Sequence, residues 1–77
     1  MKINVLFFGK LKETTQIDTV QFDCIDSIHA LETALKKTYP GLIDHPYKVA
    51  VNETIVNKDQ PLKDGDEIAL LPPFAGG

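Results

Sequence analysis

The chain has no arginine: all eight of its basic residues are lysine. Arginine's planar fork is the favoured group for bidentate recognition of phosphates and bases, so its absence argues against nucleic acid as a partner. Cysteine is nearly missing too. Cys24 stands alone, which excludes an internal disulfide and a zinc cluster built from cysteines. As a persulfide relay it has little support, and near a strand end it is expected to be a small buried hydrophobe. No apolar run approaches the roughly 20 residues that span a bilayer. The start, Met1-Lys2-Ile3-Asn4, alternates like a strand and lacks the architecture of a signal peptide. Together these absences predict a protein of the reducing cytoplasm with no membrane partner. Internal repeats, linkers and low-complexity stretches are also wanting.

What is present fits one domain and one core. At 77 residues, a chain buries only about 60% of the surface it exposes when unfolded, leaving little room for both a core and a deep substrate pocket. A hydrophobic fraction of 43% and a charged fraction of 25% are ordinary for a folded globule and argue against disorder. The net charge of −3 suits docking onto a basic patch of another protein.

Residues 2–8 are β-branched and aromatic and stop at Gly9. They read as a strand with Ile3, Val5 and Phe7 on one face and Asn4, Leu6 and Phe8 on the other. Lys10–Gln16 is polar and reads as a turn. A second strand over 17–22, with Val20 and Phe22 sharing a face, completes a hairpin. Asp26 or Ser27 can cap a following helix, whose stripe is Ile28, Leu31, Leu35 and Tyr39, joined by Ala34. Lys36 and Lys37 in its last turn complement the helix dipole, and Pro40-Gly41 stops it. Val49-Ala50-Val51 and Thr54-Ile55-Val56 are strands around a tight turn at Asn52-Glu53. Asp64-Gly65 marks another turn, and Glu67–Leu71 is the last strand. Pro72-Pro73 ends the ladder, because proline has no N–H to give. The predicted class is α+β: a mixed sheet packed on one main helix in the order β-β-α-β-β-β, the element order of the ubiquitin-like β-grasp. Residues 1–71 form that domain and 72–77 a flexible C-terminal Gly-Gly tail.

The tail, Pro72-Pro73-Phe74-Ala75-Gly76-Gly77, is where chemistry is expected. A chance Gly-Gly end occurs in roughly one chain in 200 at about 7% glycine usage. It gains meaning from leaving directly off the last strand of such a domain. Gly76 and Gly77 lack Cβ and can thread a narrow channel, while the proline pair favours an extended path and lowers the entropy of ordering it on a partner. Six residues reach at most about 20 Å, enough to carry the Gly77 carboxyl into another protein's active site. A carboxylate is inert until activated, commonly by adenylation. The chain has no Gly-rich phosphate loop, so activation must come from a partner.

Three segments carry a resemblance that covers essentially the whole chain: Ile3-Asn4-Val5-Leu6-Phe7-Phe8-Gly9; Val51-Asn52-Glu53 followed by Pro61-Leu62-Lys63-Asp64-Gly65-Asp66-Glu67-Ile68; and the Leu71-Pro72-Pro73-Phe74-Ala75-Gly76-Gly77 end. The helix end Tyr39-Pro40-Gly41-Leu42 fits as well. On these residues the chain resembles the small, sulfur-carrying subunits of molybdopterin synthase, ubiquitin-like proteins. The resemblance implies that an E1-like adenylyltransferase uses ATP to adenylate Gly77 and that a sulfur donor protein converts it to a thiocarboxylate. The large subunit of molybdopterin synthase then receives the tail within a heterotetramer, and sulfur passes to a cyclic pterin monophosphate. This chain would bind no cofactor or metal and would not be catalytic alone. Sulfur carriage for thiamine or cysteine synthesis, and conjugation to lysines as a protein modifier, are the competing readings. Thiamine carriers usually lack the proline pair.

Leu6, Phe8, Ala50, Ala69 and Leu71 alternate with the core positions and should lie on the sheet face that the helix leaves uncovered; with Phe74 they are the expected partner interface. His29 and His45 have no nucleophile or carboxylate arranged around them in sequence and read as solvated. Asp64, Asp66 and Glu67 resemble a carboxylate cluster, but turn chemistry around Gly65 accounts for the first two. Lys10 and Lys12 read as a solvated loop, and Asn52 as a turn former rather than a ligand.

Overall fold

The computed structural model describes residues 2–73, apart from the side chains of Ile43 and Asp44. Its elements run β1 (Lys2–Phe7), α1 (Lys10–Thr15), β2 (Thr19–Asp23), α2 (Ile28–Thr38), a 3-10 turn (Pro40–Asp44), β3 (Lys48–Val51), β4 (Thr54–Val56) and β5 (Glu67–Leu71). The five strands form one mixed sheet in the order β2-β1-β5-β3-β4. β1 and β5 are parallel, and every other pairing is antiparallel. The expected α+β architecture, one main helix on a mixed sheet, is what the chain adopts.

The alternation of β1 is realised as expected. Ile3, Val5 and Phe7 are buried in one cluster with Val49, Val51, Ile68 and Leu70 from the sheet and Ile28, Leu31 and Leu35 from α2. Val20, Phe22 and Ala34 pack against its edge. Ser27 is the cap of α2, its Oγ accepting the Ala30 N–H at 3.1 Å. Tyr39 caps the other end, and its ring meets Phe7 edge to face with centroids 5.7 Å apart. Pro40-Gly41 does end α2, and the chain turns directly into the 3-10 segment.

Two expectations need correction. Lys10–Gln16 is not a turn: Lys10–Thr15 is a helix that buries Leu11 and Thr15 and puts Lys10 and Lys12 on its exposed side. Cys24 is not a buried hydrophobe. It is exposed, with φ of 61° in the residue that follows β2; a left-handed turn there swings its side chain off the sheet.

Candidate functional site: the root of the C-terminal tail

The last strand lies in the middle of the sheet. β5 pairs with β1 through Val5–Ile68, Leu6–Ala69 and Phe7–Leu70, and with β3 through Val51–Ile68, Ala50–Ala69, Val49–Leu70 and Lys48–Leu71. The tail therefore leaves the centre of one sheet end rather than an edge. The Phe8 N–H donates to the Leu70 carbonyl at 3.2 Å, the last rung on that side. Pro72 follows with no N–H, and pairing stops. Pro72 and Pro73 are both partly buried. Pro72 lies against Gly9, whose φ is 58°; a Cβ built on Gly9 would stand 2.7 Å from Pro72 Cγ. The predicted site residues Phe74, Ala75, Gly76 and Gly77 lie outside the described residues.

The face opposite α2 is graded. Its central row runs Thr19–Leu6–Ala69–Ala50–Ile55 across all five strands. Phe8 and Leu71 lie beside that row on the tail side. On the far side, Gln21 Nε2 donates to Asn4 Oδ1 at 2.8 Å, and Asn4 pairs with Glu67. The apolar half of this face thus adjoins the tail and the polar half is remote from it. Phe8 is 43% and Ile55 50% exposed, while Leu6, Ala69 and Leu71 are half-buried. Ala50 departs from the expectation, being only 4% exposed. It is flanked across the ladder by Ala69 and Ile55, so it supports the patch from beneath and offers almost no surface to a partner. Ile55 joins the patch without having been among the residues expected there. The signal that could have found it is its register across the Asn52-Glu53 turn, which pairs it with Ala50.

At the opposite end of the sheet the acidic residues are held by turn chemistry. Asp64 Oδ1 accepts the Lys2 N–H at 2.6 Å, and the Gly65 N–H donates to the Lys2 carbonyl at 2.8 Å. Asp66 accepts the Lys63 N–H at 2.7 Å and the Asn52 amide at 3.0 Å, and Asn52 Oδ1 accepts the Glu67 N–H at 3.0 Å. The bond from Lys63, then that from Asn52, hold the Asp66 carboxyl below the usual carboxylate range. Asn52 and Glu53 have φ of 48° and 72°, the pattern of a type I′ hairpin turn. Asn52 is thus a turn former that also ties β3 to the start of β5.

A cavity of about 260 Å³ lies between α2 and β4. Across it the Tyr47 hydroxyl donates to Glu32 Oε2 at 2.7 Å; burial, then this bond to Glu32, push the phenol well above its ordinary value. No serine, threonine or cysteine lines the cavity, and neither Gly9 nor Pro72 does. His29 is exposed and His45 half-buried, and neither imidazole makes a hydrogen bond among the described residues; the bonds to His29 reach its backbone. Among those residues no three histidine, cysteine or acidic side chains converge as metal ligands, and no helix is long and apolar enough to cross a membrane.

Fold and topology together define a ubiquitin-like β-grasp domain in whose sequence a Gly-Gly pair follows the central strand. The chain belongs to the ThiS family, whose model matches residues 5–77. It is 38% identical to a molybdopterin synthase sulfur carrier subunit of Mycobacterium tuberculosis, covering 100% of this chain and 99% of that protein. The protein of the same name from Escherichia coli is 35% identical over 97% of this chain and 99% of its own length. Among solved structures, a complex of subunits 1 and 2 of the molybdopterin-converting factor from Helicobacter pylori contains a chain 34% identical, with a TM-score of 0.80 and full coverage of both chains. The small archaeal modifier protein SAMP1 of Haloferax volcanii shares the fold at a TM-score of 0.84 and 24% identity, covering 100% of each chain.

Proposed function

We propose that this chain is the sulfur-carrier subunit of a molybdopterin synthase and that the carboxyl of Gly77 is its working group. The observation that carries the reading is a full-length likeness to such carriers in a chain whose Gly-Gly end leaves the central strand beside an uncovered apolar face. An E1-like adenylyltransferase joins the Gly77 carboxylate to AMP from ATP with loss of pyrophosphate. Sulfide-level sulfur supplied by a sulfur donor protein then attacks the acyl carbon, expels AMP and leaves a thiocarboxylate. Thiocarboxylate sulfur is a good nucleophile at neutral pH, and the acyl carbon stays bonded to the chain for the next cycle. The large subunit seats the patch of Leu6, Phe8, Ala69, Leu71 and Ile55, with Phe74 at the tail, and takes Gly77 into its active site. There sulfur passes to a cyclic pterin monophosphate. The chain supplies the sulfur and the geometry, and its partners bind ATP and the pterin.

The test is the intact mass of the chain incubated with its activating enzyme, ATP and a sulfur source. One oxygen replaced by sulfur, mapped to Gly77, is the expected product. Deleting Gly77 should abolish loading while leaving the unfolding curve unchanged, because a glycine has no side chain to bury. A truncated chain that still supported molybdopterin formation would sink the proposal, as would lysine-linked conjugates in place of the thiocarboxylate.

A further inference from the structure

The tail meets the body at a place where only one residue type fits. Gly9 has φ 58° and ψ −132°, a conformation that side chains with a Cβ strongly resist. A Cβ at that position would stand 2.7 Å from Pro72 Cγ and 3.6 Å from Cδ. Those atoms belong to a closed ring and cannot swing aside as the end of a flexible side chain would. Both walls of the contact are fixed. On one side, the Gly9 carbonyl accepts the Lys12 N–H at 3.1 Å and so starts α1, which is pinned by the buried Leu11. On the other, the Phe8 N–H holds the Leu70 carbonyl of β5, two residues before Pro72.

From this geometry we infer that Gly9 is a positioning residue for the Gly77 carboxyl: it opens the seat that receives the Pro72 ring, and the seat sets the point and direction at which the tail leaves the body. With Pro72 anchored, five residues remain, Pro73 to Gly77. They reach at most about 17 Å. A partner's reacting centre must therefore lie within that distance of Pro72, so the body has to dock close. The apolar half of the open face, which adjoins the seat, is the surface placed to do so. The consequence for transfer rests on the sulfur-carrier reading, whereas the seat is a property of this chain alone.

The experiment uses the full chain, Gly9→Ala, Pro72→Gly and the double variant. In the wild type, nuclear Overhauser contacts between the Gly9 Hα and Pro72 ring protons should be present, and Gly9→Ala should remove them. Freeing the backbone of about one residue should raise KM for loading by the activating enzyme about tenfold, with kcat little changed. Pro72→Gly should do the same without lowering the melting temperature of the body. The double variant should be no worse in KM than the worse single one, because both substitutions empty the same seat. Additive KM losses, an unchanged KM in Pro72→Gly, or a wild type without the Gly9–Pro72 contact would each overturn the inference. Should the contact be seen in a chain that takes no sulfur, the carrier reading falls and the seat stands. Sulfur loading without the contact leaves the carrier reading standing and removes the seat.

Discussion

Asp66 shows how a side chain that looks functional in the sequence can be spent on structure. Its carboxylate ties the Lys63 N–H and the Asn52 amide together, joining the Asp64-Gly65 turn to the β3–β4 turn. Those bonds depress its pKa below an unfolded value of about 3.9. The folded state is then the poorer proton acceptor, and the stabilisation is present above that value and lost as pH falls through the folded one. Asp66 is open enough to solvent that the effect is modest. Asp66→Asn should lower the melting temperature at pH 7 and flatten its decline below about pH 4; thermal unfolding followed from pH 7 to 2 reads both, and superimposable acid limbs would mean the bonds carry no weight. Much at this scale was legible. Asn-Glu and Asp-Gly announce turns because their residues tolerate or relieve a left-handed backbone. Cys24 was not legible, since nothing in Asp23-Cys24-Ile25 signals that the residue between a strand end and a buried isoleucine takes φ of 61°.

Legibility of the elements depended on how many turns of a pattern each could display. α2 spans 11 residues, with Ile28, Leu31 and Leu35 buried at helical spacing and Ser27 as cap, so periodicity and chemistry agreed. α1 has six residues and one buried pair, Leu11 and Thr15. It begins at a glycine with no side-chain cap and ends on Gln16 in the left-handed region rather than on a glycine. A helix this short is held by tertiary contact, not by propensity, and the burial of Leu11 is a fact of the whole fold. The 3-10 turn at Pro40–Asp44 was hidden for the same reason. Cap and core of α2 should differ in weight. Ser27→Ala removes the bond to the Ala30 N–H and should cost about 1 kcal/mol, lowering the melting temperature by roughly 4–8 °C in a domain of this size. Leu35→Ala, at a fully buried position of the core face, should cost about 2–5 kcal/mol, a large share of the roughly 5–15 kcal/mol that stabilises a typical domain. Urea unfolding at unchanged slope measures both; a Ser27→Ala chain as stable as the wild type would show that the Asp59 carboxylate, which accepts the His29 N–H at 2.8 Å, suffices as a cap.

Strand alternation tells which residues share a face, and it separated Leu6, Phe8, Ala69 and Leu71 from the core correctly. It does not tell which strands adjoin. That β5 enters between β1 and β3 is a long-range pairing, and only this insertion brings Leu6, Ala69, Ala50 and Ile55 into one row and puts the tail root beside it. Side-chain size then decides what the row offers: Ala50 is sealed by its neighbours, while Phe8 and Ile55 are the large hydrophobic side chains that stay open among the described residues. Charge follows the same axis. Asp23, Glu53, Asp64, Asp66 and Glu67 gather at the sheet end remote from the tail with Lys2 and Lys63, whereas Lys10, Lys12 and Lys48 lie at the tail end with Glu13 and Asp18, the last ion-paired to Lys12 at 3.0 Å. The net acidity therefore lies at the remote end, the tail end is close to neutral, and on the proposed function a partner received there meets mainly apolar surface. Phe8→Ala and Ile55→Ala should each weaken binding to the large subunit by about 1–2 kcal/mol, roughly five- to thirty-fold. Melting temperatures should barely move, because substitutions at exposed sites stay within about 0.5 kcal/mol. Gln21→Ala, on the polar half of the same face, should leave affinity unchanged. Calorimetric titration of the three variants decides the matter: equal losses for Gln21→Ala and Phe8→Ala would spread the interface over the whole sheet, and no loss for Phe8→Ala or Ile55→Ala would move it off this face altogether.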